Sequence, residues 1–125
     1  MPPRPGLTAR VDLAVTDDDT ALAFRSGDVP VLGTPRVVAL CEEAAVAALA
    51  GELDAGTTSV GMRVQLDHLA PTAVGHGVIA EATLEKVEGR RLVFTVSVRD
   101  HRSLVAAGRV TRVVVDRGHF LDKAK

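Results

Sequence analysis

Three features of this sequence carry the residue types that acid–base chemistry needs. The first is the adjacent pair Glu42 and Glu43, set inside the apolar run Val37-Val38-Ala39-Leu40-Cys41-Glu42-Glu43-Ala44-Ala45-Val46. Ionised carboxylates are costly to bury without partners, so this pair either faces solvent or sends one member into a polar cleft. The two side chains point about 100° apart around a helix, so one narrow solvated stripe cannot serve both equally. The second feature is His68, in Asp67-His68-Leu69-Ala70-Pro71. An imidazole titrates near neutral pH and so suits proton transfer or the stabilisation of a developing charge, although a lone histidine is more often structural. The third is Thr34, followed by Pro35 and the start of the apolar run. Unpaired amides at a helix start can polarise a carbonyl or hold an anion. Pro35 has no N–H, so donors there must come from Arg36, Val37 or beyond, and a plain N-cap is the commoner role for Thr34.

The elements that must position these residues follow from the spacing of apolar side chains. Residues 10–16 alternate through Val11, Leu13 and Val15, which is the period of a half-buried strand. The acidic run Asp17-Asp18-Asp19 before Ala21-Leu22-Ala23-Phe24 reads as a capped helical turn, broken at Ser26-Gly27-Asp28. Thr34 as N-cap and Pro35 as first helical residue open a long Ala-rich helix to Gly51, apolar on nearly every side and so expected to be buried on more than one face. Residues 57–69 form a strand with Val60, Met62, Val64 and Leu66 on one face and Gly61, Arg63, Gln65 and Asp67 on the other. Three further strands follow at 74–87, 92–98 and 104–116, joined by turns at Glu88-Gly89-Arg90-Arg91 and Asp100-His101-Arg102-Ser103. One strand, one buried helix and four consecutive strands predict an α+β hotdog fold, with an antiparallel sheet of about five strands wrapped round one long central helix.

The 125 residues suit a single domain over 1–125, with 1–8 as a loose leader and 118–125 as a charged tail. A net charge of −1 and only three aromatic residues, all phenylalanine, argue against nucleic-acid binding. No uncharged stretch approaches membrane-spanning length and no secretory leader is evident, so membrane partners and export are not expected. The one cysteine, Cys41, can form no internal disulfide, and no Cys/His cluster offers a metal site, which fits a reducing cytoplasm and a metal-free protein. A single unit of this fold leaves sheet edges uncovered, which points to a homodimer or larger assembly.

Thr34, Glu42 eight residues on, Gly61 and His68, with Val87-Glu88-Gly89-Arg90-Arg91-Leu92 downstream, together resemble the fluoroacetyl-CoA thioesterase family of hotdog proteins over nearly the whole chain. The resemblance implies hydrolysis of a small acyl-CoA thioester by a catalytic set of Thr34, Glu42 and His68, and selects Glu42 over Glu43. In that reading Glu42 attacks the carbonyl or activates water, His68 protonates the leaving thiolate, and Thr34 orients Glu42 or the water. Substrate would be met by Gly61 near the acyl group, by the amides of Arg36 and Val37 at the carbonyl, and by Arg90 and Arg91 at the coenzyme A phosphates, with no cofactor. The segment between Asp19 and Thr34 departs from the family: it is shorter than the family's lid and lacks the phenylalanines that select a fluorinated acyl group. Its Leu22, Phe24, Val29, Val31 and Leu32 are candidates to line an apolar acyl pocket. A non-catalytic hotdog module that binds an acyl thioester or related ligand is the alternative.

Overall fold

The computed structural model describes residues 2–125. Five strands, β1 (Thr8–Ala14), β2 (Thr57–His68), β3 (Gly77–Glu88), β4 (Arg91–Arg99) and β5 (Leu104–Asp116), form one antiparallel sheet in the order β1-β3-β4-β5-β2. The last three strands, β3 to β5, are joined by the short turns expected, whereas β2 is not joined to β3 as a hairpin and lies at the far edge, paired with β5. A 3-10 turn (Asp17–Asp19) and a short helix, α1 (Ala21–Phe24), precede the long helix α2 (Thr34–Ala48), and α3 (Arg117–Lys123) closes the chain.

Helix α2 packs on the sheet through Val37, Leu40, Cys41, Ala44 and Ala45, none of which keeps any exposed surface. These meet Val78, Ala80, Ala82 and Leu84 of β3 and Leu92, Phe94, Val96 and Val98 of β4 in one core. Each fully buried Val or Leu contributes about 1.5–3 kcal/mol, and the alanines let helix and sheet approach closely. The opposite stripe of α2, with Ala39, Glu43, Val46 and Ala47, stays exposed, so within this chain the helix is buried on one side and not all round.

The N-terminal segment is held more firmly than a loose leader would be. Pro3 is buried, and Gly6 and Leu7 extend the β1–β3 ladder through the Gly6 N–H to Leu84 O bond at 2.8 Å and the Leu84 N–H to Leu7 O bond at 2.7 Å, so the leader is tied down. The tail forms α3, capped by the Asp116 carboxylate, which accepts the His119 amide at 2.8 Å.

The register of β2 carries the main departure. Gly61 faces Arg112 on β5 while Arg63 faces Thr111, so Met62 is the extra residue of a β-bulge. Because side chains alternate with period two, one inserted residue exchanges the faces on either side of it. Gly61 and His68 would lie on opposite faces of a regular strand. With Met62 bulged, both are turned toward α2, as their contacts with Glu42 and Thr34 show.

Candidate active site

Thr34 is the first residue of α2, but it is not its cap. Gly33 occupies the N-cap in an extended conformation, with no side-chain capping bond. The threonine hydroxyl is therefore free of the helix and lies 2.8 Å from His68 Nδ1. His68 ends β2 and is half-buried. Burial lowers its pKa from the ordinary histidine value, with the Ala70 backbone opposing the shift, so the imidazole is mainly neutral at pH 7. Its second nitrogen, Nε2, is sealed from solvent without a hydrogen-bond partner. A small open pocket of about 210 Å³ borders the ring, lined by Val31, His68, Leu69, Ala70 and Pro71.

Glu42 lies two turns further along α2, where its Oε2 accepts a hydrogen bond from Arg112 Nη1 at 3.2 Å. Arg112 is itself buried, with 7% of its surface exposed. It also bonds Ser59 twice: Nε donates to the hydroxyl at 2.8 Å and Nη2 to the backbone carbonyl at 2.9 Å. The guanidinium is thus fixed by β2 and in turn fixes the carboxylate, a charge-assisted arrangement of the stronger kind. Burial lowers the Arg112 pKa and the charge of Glu42 works against that shift. Gly61 completes the cluster by having no side chain, since a Cβ there would stand 2.6 Å from Glu42 Oε2. Glu43 is exposed, which separates the two glutamates as their angular spacing required. Beside Glu42, burial pushes the Cys41 thiol up to about 11, with Glu42 adding to the effect, so Cys41 is no nucleophile at neutral pH.

Other candidates are placed differently. The amides of Arg36 and Val37 both donate to Gly33 O, at 3.0 and 3.1 Å, and so are not free to meet a carbonyl. The unpaired donor of the helix start is the N–H of Thr34 itself, which has no acceptor within the helix. The Arg36 side chain is engaged by Asp19, its Nε 2.9 Å from Asp19 Oδ1, and Val37 belongs to the core. Arg90 and Arg91 sit at the β3–β4 turn, at the end of the sheet opposite His68: Arg91 faces Val113, whose partner on β2 is Val60, whereas His68 pairs with Ala106. Leu32 is core, while Leu22, Phe24 and Val29 are exposed. Among the described residues no three of His, Cys, Asp and Glu are grouped to hold a metal ion, and no helix is long and apolar enough to cross a membrane.

Arg112 and Asp19 were not anticipated. A signal for Arg112 exists in the strand pattern, because Val110, Arg112 and Val114 share one face of β5 and a charge on a valine face needs a buried partner.

Comparison with known proteins adds a decisive observation: the model of the family described as fluoroacetyl-CoA-specific thioesterase matches residues 15–118. This chain belongs to that family. The fluoroacetyl-CoA thioesterase of Streptantibioticus cattleyicolor is 36% identical over 95 residues, covering 76% of this chain and 68% of the relative. A solved structure of the fluoroacetyl-CoA thioesterase FlK superposes with a TM-score of 0.92 at 30% identity, covering 98% of this chain and 95% of the other. A hot-dog-like protein from Thermanaerovibrio acidaminovorans superposes with a TM-score of 0.89 at 30% identity, covering 96% and 89%. As a member of the fluoroacetyl-CoA-specific thioesterase family, the chain is a thioester hydrolase with the α+β hotdog fold anticipated from its element order.

Proposed function

We propose that the chain hydrolyses a small acyl-CoA thioester, using Thr34 and His68 at the reacting carbonyl and Glu42 as nucleophile or as the base that activates water, without a cofactor. The observation that carries this reading is the 2.8 Å contact between Thr34 Oγ1 and His68 Nδ1 beside an open pocket. A hydroxyl bonded to a neutral imidazole is a proton relay. In the water-activating form, water adds to the thioester carbonyl and gives a proton to Glu42. The carbon–sulfur bond then breaks, the thiolate takes a proton through His68, the ionising product acid returns a proton to His68, and Glu42 releases the proton it took to solvent. The Thr34 N–H at the start of α2 is the donor available to the developing oxyanion.

Thr34 and Glu42 are eight residues apart on one helix, about 12 Å along its axis, too far to act on one carbonyl. We infer that the working unit is a homodimer in which Thr34 and His68 of one protomer act with Glu42 of the other. Support comes from the unpaired outer edge of β2, where Met62 and Val64 are exposed, and from exposed Val46 on α2. A two-fold copy along that edge runs β2 antiparallel to itself, and the register this reading requires is the one that sets the His68 end of one strand against the Gly61 region of the other. A free, buried Cys41 suits the reducing cytoplasm in which we place this dimer.

The test is thiol release from a panel of short, branched, aromatic and halogenated acyl-CoAs, with Glu42→Ala alongside. Release that disappears in the variant supports the reading and names the acyl class. No release from any acyl-CoA overturns it.

A further inference from the structure

Asp19 touches the chain on both sides of Thr34. Its carbonyl accepts the Gly33 N–H at 2.9 Å, and its Oδ1 accepts Arg36 Nε–H at 2.9 Å. Its other oxygen, Oδ2, accepts the Thr16 amide at 2.8 Å and is 3.0 Å from the Thr16 hydroxyl, so both carboxylate oxygens are satisfied in a residue only 8% exposed. The neighbouring residues are held as well. Leu32 N–H donates to Thr72 O at 2.8 Å, and a Cβ on Gly33 would stand 3.0 Å from Ala21 N, so Gly33 is needed for close approach to α1. Thr34 itself has no cap bond to steady it. The aim of its hydroxyl at His68 therefore depends on anchors at residues 32, 33 and 36, and Asp19 supplies two of the three, that at Gly33 through its backbone carbonyl and that at Arg36 through its carboxylate.

The charge of Asp19 matters as well as its shape. Arg36 places a cation in the first turn of α2, where the helix dipole disfavours one, and the carboxylate offsets it. Burial alone would raise the Asp19 pKa, but the bonds from Thr16 and Arg36 outweigh it and hold the carboxyl below its ordinary value. Asp19 is thus ionised throughout the neutral range.

We propose that Asp19 is a positioning residue for the reaction, holding Gly33 and Arg36 so that the Thr34 hydroxyl stays aligned with His68 Nδ1. This rests on the reading that Thr34 and His68 act on the substrate. The alignment it claims is measurable without substrate.

The experiment compares wild type, Asp19→Asn, Arg36→Gln and the double variant. In steady-state thiol release, Asp19→Asn should lower kcat about tenfold or more while KM changes less than about threefold, because misplacement by a fraction of an ångström acts on the transition state. The double variant should lose little beyond the worse single variant, since both changes break one link. In the unliganded protein, the nitrogen-15 and proton shifts of the His68 ring, assigned with His68→Gln, should move in Asp19→Asn toward those of Thr34→Ala. A folded Asp19→Asn with an unchanged His68 ring and unchanged kcat overturns the proposal. So does a rise in KM at constant kcat, which would make Asp19 and Arg36 a substrate contact. If Asp19→Asn does not fold, Arg36→Gln carries the same two readouts. If wild type releases no thiol from any acyl-CoA, the proposed activity fails, and the His68 spectra still decide whether Asp19 sets the pair.

Discussion

Thr34 Oγ1 and His68 Nδ1 lie 2.8 Å apart across 34 residues of sequence. The contact exists because the cap of α2 falls on Gly33, which releases the threonine hydroxyl, and because β2 ends where its last residue turns toward that helix start. A side chain with the composition of a cap has become half of a polar pair.

Removal of either partner should therefore damage turnover in the same way. Thr34→Ala and His68→Ala are each expected to lower kcat by roughly 10²–10⁴, the range for a positioned acid–base group. The double variant should be little worse than the weaker single variant, as acyl-CoA turnover would show.

If His68 acts in the reaction as proposed, its lowered pKa should set the acid limb of the pH profile. Activity that needs the neutral ring should fall as pH drops through a value below the ordinary 6.5, and kcat/KM measured from pH 4.5 to 8 locates that fall. Stability follows the same sign. The unfolded chain binds the proton more readily, so His68 contributes stability above 6.5 that is lost progressively as pH falls toward the folded value. In His68→Gln that part of the pH dependence of Tm should vanish.

Glu42 and Glu43 provide an internal contrast. Glu42→Ala should abolish most thiol release and also leave Arg112 buried beside Ser59 without its anion. Glu43→Ala removes an exposed carboxylate and should leave kcat and KM within about twofold of wild type, as surface substitutions generally do. Assaying the two proteins side by side separates them.

Sharing of one site between two protomers has a direct signature. Thr34→Ala and Glu42→Ala should each be inactive alone, yet mixing them under conditions of subunit exchange should restore activity, because each heterodimer holds one site free of both changes. Random pairing gives about a quarter of wild-type turnover. Persistent inactivity in a mixture shown by mass spectrometry to contain heterodimers would return both residues to a single protomer.

Gly61→Ala probes the closest approach in the site. A methyl 2.6 Å from Glu42 Oε2 forces the carboxylate away from Arg112. Because the clashing atom is the end of a flexible side chain, the expected result is a stability loss of about 1 kcal/mol or less in denaturant unfolding, with a fall in kcat approaching that of Glu42→Ala.

Much of this arrangement was legible in the residues. The Pro35-led alanine helix, the valine strands and their turns place the elements, and the spacing of Thr34, Glu42, Gly61 and His68 resembles the family to which the chain belongs. What escaped was set by long-range contact. Period-two reading placed Gly61 opposite Val60 and Val64, correct for a regular ladder and defeated by the bulge at Met62. Arg112, 70 residues from Glu42, announces itself only when its parity with Val110 and Val114 is noticed. Asp19 reads locally as one more acidic residue before a helical turn, and only the folded chain puts Arg36 within its reach.

The bulge at Met62 has a consequence for how this protein varies. Its site is held together by strand parity as much as by chemistry: loss of Met62 would leave a regular ladder with Gly61 and His68 still on one face, whereas an insertion in this stretch, or a deletion that kept the bulge, would turn one of them to the far face of the sheet. Related chains that keep the site are therefore expected either to keep this length with a bulge or to be one residue shorter with a regular strand, and to exchange residues within β2 more freely than they change its length in any other way.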